Sequence, residues 1–149
     1  MPSAKVHVPT SAGAGLLYSL HEARDEAPMH QIVEGVGGTI GGGFGGRIPD
    51  LLDPPTSPLH RSHAHSVTLA AVLVGIRKHL QVGTAHLRIE ADRWDADAQQ
   101  HEEWSLDWSV CKGVALALRA LAGFMNGLYA GYLCHLGLDF CTPAGLSVI

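Results

Sequence analysis

The chain has 149 residues, 46% of them apolar and 16% charged, with a formal net charge of −4. That length fits one domain, the apolar fraction excludes wholesale disorder, and the charge balance excludes a generally basic nucleic-acid coat. What stands out is 18 glycines, 10 histidines and an odd set of three cysteines, Cys111, Cys134 and Cys141. Without a CxxC pair or an even count, the cysteines read as reduced thiols in a cytoplasmic or cytosol-facing protein. Residues 1–10 hold one Lys and no apolar run, so no signal peptide is expected there.

In chain order, Thr10-Ser11 offers an N-cap, and Leu16, Leu17 and Leu20 recur at helical spacing, which predicts a helix over 12–24. Residues 25–28 break it. A second helix is expected over 29–44, with an unusual face: Gly37, Gly41 and Gly45 recur four apart, as do Gly38 and Gly42. Each interior glycine costs about 1 kcal/mol against Ala. Close helix–helix approach through small-xxx-small contacts offsets that cost. Gly41-x-Gly43-x-x-Gly46 also matches a dinucleotide fingerprint, but no strand precedes it and Pro49 follows where a helix should begin. Packing is the better account.

Pro49, Pro54, Pro55 and Pro58 predict an irregular loop over 47–62, followed by a third helix over 63–79. The alternation of Ala85, Leu87, Ile89 and Ala91 fits a short strand or an irregular helix within 80–100. Residues 102–141 read as mostly helical, bent or broken near Gly113 or 123–127, and Pro143 ends them. Within that stretch, 120–138 has no charged residue and approaches the ~20 residues of a bilayer span. Asn126, His135 and an overall mean hydropathy of only +0.13 favour a buried core helix, with membrane association as the alternative. The expected architecture is all-α, close to a four-helix bundle with an elaborated connection between helices 3 and 4, in a single domain over 1–149.

Three polar clusters stand against this background: Asp50 and Asp53; His60, Arg61, His63 and His65; and His135-x-x-x-Asp139. Residues four apart on a helix share a face, so His135 and Asp139 can grip one ion together. In an up-down-up-down bundle the end of helix 2, the start of helix 3, the end of helix 4 and the start of helix 1, with His7, lie at one pole. His21, His30 and His79 fall at the other and read as surface or capping residues. Two His and two carboxylates suit Zn²⁺, with Mn²⁺ or Fe²⁺ as alternatives, and further His and Asp leave room for a second ion. Arg61 can clamp an anionic substrate or pair with Asp50 or Asp53.

The glycine-rich helix, Pro49-Asp50, His60-Arg61-x-x-x-His65-Ser66, and the run from Gly131 through Cys134-His135 to Asp139, followed by Thr142-Pro143-Ala144-Gly145, resemble the YdjM-like family of metal-dependent hydrolases. Many members of that family are associated with the inner membrane. The resemblance covers residues 35–70 and 130–146, with a fainter match at His7. A more distant similarity is to zinc-dependent phospholipases C and fungal single-strand nucleases. These are all-α, with an Asp, a His about fifteen residues later, a downstream His-x-x-x-Asp/Glu, and a His about forty residues before the Asp. The resemblance implies a phosphoesterase with one or two divalent ions. Asp50, His65, His135, Asp139 and, more weakly, His7 would be ligands. Asp53 would be a ligand or general base, and His60 and Arg61 would orient substrate. A small-molecule or polymer phosphoester is the expected substrate, with nucleic acid entering only as substrate. A non-catalytic, metal-stabilised module that joins copies through its glycine face is the alternative.

Overall fold

The computed structural model describes residues 4–52 and 66–141, and among them the chain is a helical bundle, as expected. Its helices are α1 (Ala4–Glu22), α2 (Pro28–Gly45), α3 (Ile48–Leu52), α4 (Val67–Gly75), α5 (Arg77–Ala98) and α6 (Leu106–Phe140). The centre is a three-helix unit in which α2 packs on both α1 and α6, and α5 folds back along α6.

The glycines explain how α2 packs. A Cβ at Gly37, Gly41 or Gly45 would lie 2.1–2.2 Å from the backbone oxygens of Ala120, Phe124 and Leu128 on α6. Gly123, Gly127 and Gly131 answer from α6 against Glu34, Gly38 and Gly42, so α2 and α6 run parallel with their backbones in contact. The second glycine row faces α1: Gly38 meets Ser19, and Gly42 meets Ser11 and Gly15, in antiparallel order. Ser19 then donates a hydrogen bond to the Gly123 oxygen at 3.0 Å, which ties α1 to α6 as well. Both glycine rows are therefore occupied inside the chain.

Several expectations need correction. α1 starts at Ala4, so Thr10 and Ser11 lie inside it. Thr10 donates its hydroxyl proton to the Val6 oxygen, and Ser11 is buried against α2 rather than capping anything. Residues 41–46 are helix and its cap, not a phosphate loop. The proline-rich segment opens with the short helix α3, and its remainder lies outside the described residues. The third helix divides at Ile76 into α4 and α5. Ser66 caps α4 by accepting the Leu69 N–H at 3.1 Å. α5 is a continuous helix where a strand or an irregular helix was expected, because its inward face is small: Thr84, Ala91 and Ala98, seven apart, are fully buried. α6 is unbroken, since 123–131 present glycine to α2 and Gly113 has open space beside it.

The interior is small and polar while the exterior is apolar. Ala23, Ala91, Ala98, Ala115 and Ala122 are buried, together with Ser11, Ser19, Glu34, Arg119, Asn126 and His135. Met29, Ile32, Val36, Ile40 and Phe44 form one outward row on α2, each more than half exposed. No residue of α4 is buried. At the end of the bundle where α2 begins, fully buried Glu34 takes Arg88 at 2.6 Å and Arg119 at 3.4 Å, and Arg119 also reaches Glu26 at 2.6 Å and Asp92. His30 lies here too, paired with Asp95 at 3.3 Å.

Gly127→Ala should destabilise the fold by about 1–3 kcal/mol, because the new methyl meets backbone that cannot yield. Gly113→Ala, in open space on the same helix, should stabilise it by about 0.5–1 kcal/mol. Chemical denaturation of the two variants measures the contrast.

Candidate metal centre

At the other end of the bundle, where α2 and α6 finish and α1 starts, four of the expected residues converge. His135 and Asp139 project from one face of α6, one turn apart. His7 reaches them because α1 runs antiparallel to α6, and Asp50 is delivered by α3, which turns the chain straight after α2. His135 Nε2 lies 3.5 Å from Asp139 Oδ2 and 3.6 Å from Asp50 Oδ1, and His7 Nε2 lies 3.7 Å from Asp139 Oδ1. The two imidazoles stack with centroids 4.1 Å apart. His7, His135 and Asp139 are buried, whereas the Asp50 side chain is 37% exposed.

The His135 Nδ1–H donates to the Gly46 carbonyl oxygen at 2.7 Å. A carbonyl can only accept, so the proton sits on Nδ1 and Nε2 is turned towards the two carboxylates. This is the orientation a metal-ligating histidine needs, with the other ring nitrogen fixed by a backbone acceptor. The separations of 3.5–3.7 Å are long for direct hydrogen bonds. They are close to the edge of a tetrahedron whose corners lie about 2.0–2.2 Å from a central ion, roughly 3.3–3.6 Å. His7, His135 and Asp139 thus form a group able to hold a metal ion.

Burial disfavours the His135 imidazolium. The Asp139 carboxylate, the Gly46 carbonyl and the Asp50 charge favour it more strongly, so its pKa lies above the ordinary 6.5. The same carboxylates would attract a divalent cation in place of that proton.

Asp53, His60, Arg61 and His65 lie outside the described residues, on the segment that leaves α3 and returns at Ser66. Gly46 is the residue beside His135 that reading the sequence did not place there. Its local signal is the end of a glycine row: a Cβ there would lie 2.4 Å from the Ser11 side chain, so only glycine lets α1, and with it His7, approach. No known family model, curated protein or solved structure matches the chain.

The raised His135 pKa sets two opposite pH dependences. Without metal, its contribution to stability is present below pH 6.5 and is lost as the pH climbs through the raised value. Metal affinity should instead rise over the same window, because the ion needs the neutral ring. Denaturation and metal titration across pH 5.5–8.5 (about the imidazole range), comparing the parent with His135→Gln, should show both slopes shrinking in the variant.

Proposed function

We propose that the chain is a metal-dependent hydrolase, a phosphoesterase whose centre includes His7, Asp50, His135 and Asp139. The observation that carries this reading is the convergence of His7, His135 and Asp139, whose donor atoms all lie within 4.8 Å of one another, with Asp50 3.6 Å from His135 beside them. Zn²⁺ fits the mixed imidazole and carboxylate set best, and Mn²⁺ or Fe²⁺ are the alternatives, as one or two ions. A divalent ion held there would lower the pKa of a water and polarise a phosphoryl oxygen.

The chain's own residues supply position and charge. The Gly46 carbonyl holds the His135 tautomer, and Asp139 offers one oxygen to each imidazole. Asp50, the exposed member, marks the side from which substrate enters. His65 would complete the ligand set, Asp53 would ligate or act as general base, and His60 and Arg61 would orient the phosphoryl group. That open side favours an enzyme over a closed, purely structural metal module.

The surroundings favour a lipid phosphoester. An apolar groove of about 230 Å³, lined by Ile48, Leu73, Ile76, Leu128 and Tyr132 among others, opens one turn of α6 from His135. Among the described residues α6 alone is long and apolar enough to cross a membrane, and only 28% of its most apolar stretch is buried. Crossing would carry α5, packed along it with Arg88, Glu90, Asp92, Arg93 and Asp95, into hydrocarbon at high cost. We therefore read the chain as resting against the cytoplasmic face of a membrane through its apolar side, with α5 towards water.

Purified chain, repleted with Zn²⁺ or Mn²⁺, should hold stoichiometric metal by mass spectrometry and hydrolyse phosphodiesters. His135→Ala and Asp139→Asn should lose more than about a hundredfold in rate while keeping the helical circular-dichroism signal. Failure to retain any metal after repletion would remove the hydrolase reading. Flotation tests the membrane seat separately: the chain should rise with phospholipid vesicles, and a chain that stays with the soluble fraction contradicts it.

A further inference from the structure

At the opposite end of α6 lies a second group of donors that the centre above does not use. Asp97 is in the last turn of α5, His101 is in the turn that follows, and Cys111 is in the second turn of α6. One donor atom from each, a carboxylate oxygen, an imidazole nitrogen and the thiol sulfur, all lie within 4.8 Å of one another. Along the α6 axis, Cys111 and His135 are about 36 Å apart at 1.5 Å per residue. The two groups cannot share an ion.

The local fold holds this second group together. Ala91, Ala98 and Ala115, all buried, let α5 and α6 close into a tight hairpin. Trp104 has φ 68°, a costly left-handed conformation for a bulky residue, and its ring packs on Trp108 at 5.0 Å. Ser105 caps α6 by accepting the Trp108 N–H at 3.2 Å. His101 is therefore carried on a constrained turn and not on a loose loop.

The thiol is poorly placed as a nucleophile. Cys111 is buried and its Sγ–H donates to Asp97 Oδ2 at 3.6 Å. Burial, then the Asp97 carboxylate, push its pKa up, and Asp107, one turn earlier on α6, adds to the effect. A cation reverses that logic, because the negative charges that oppose a thiolate alone become the ligands that balance a divalent ion.

We propose that Asp97, His101 and Cys111 form a separate site for a borderline-soft divalent cation, Zn²⁺ by donor type, that fastens the α5–α6 hairpin. On binding, the Cys111 S–H bond gives its proton to solvent and the thiolate sulfur bonds the ion. Three side chains leave a fourth position, which water or the neighbouring Asp107 can fill. Sulfur sets this site apart from the nitrogen and oxygen donors around His135.

That difference makes the test specific. Co²⁺ titrated into the full chain should produce the near-ultraviolet absorption of a thiolate-to-cobalt charge transfer. Cys111→Ser should lose this absorption together with one equivalent of bound metal. His101→Ala, a change on a half-exposed turn, should weaken the Co²⁺ affinity of the band by at least about tenfold. His135→Ala and Cys134→Ser should leave the band in place. Absence of the band at saturating Co²⁺, its survival in Cys111→Ser, or an unchanged affinity in His101→Ala would each overturn the proposal.

Discussion

The structure depends on backbone touching backbone along α2. Side chains of any size at Gly38, Gly41, Gly42 or Gly45 would push α1 or α6 away, and every later feature rests on that proximity. The apolar core is correspondingly slight, with alanines and few large side chains sealed from the surface. Dispersion between closely opposed backbones, with hydrogen bonds such as Ser19 to the Gly123 oxygen, takes over much of what large apolar side chains do elsewhere. This is the packing regime of helices in lipid, where apolar burial gives little advantage because the surroundings are equally apolar.

The same constraint builds the candidate metal centre. Because α2 and α6 run parallel and in contact, their C-terminal ends coincide, and Gly46 lies against the ring of His135. The antiparallel α1 then brings His7 to Asp139 from the opposite chain direction. A substitution that opened the glycine contact by an ångström would move the donors apart even though none of them is changed. Geometry at the centre and stability of the bundle are thus one property.

The fold class was legible in the sequence because glycine spacing and helical periodicity are local signals. So was the meeting of His7, Asp50, His135 and Asp139, which follows from alternating helix direction once the helices are placed. What was hidden is instructive. The start of α1 escaped because the Thr10-Ser11 pair imitates a boundary, while Ser11 is buried by a contact with Gly46 far along the chain. α5 escaped because its buried face is Thr84, Ala91 and Ala98, small residues that carry little hydrophobic signal. The Glu34, Arg88 and Arg119 cluster joins three helices, and nothing in its spacing announces it.

The two ends of the bundle differ in chemistry for a physical reason. At the Glu34 end, acids and bases neutralise each other directly: Arg88 and Arg119 against Glu34 and Glu26 at 2.6–3.4 Å, and Arg119 against Asp92. Such a cluster pairs charge with charge and holds helices in register. At the His135 end, among the described residues, the carboxylates face imidazoles at 3.5–3.7 Å. An imidazole can surrender its proton near neutral pH where a guanidinium cannot, so the His135 group can exchange a proton for a cation where Arg88 and Arg119 cannot. The polar interior is therefore divided between guanidinium pairs that hold the fold around Glu34 and an imidazole group around His135 that can change its charge state, with the glycine seam between them fixing their separation.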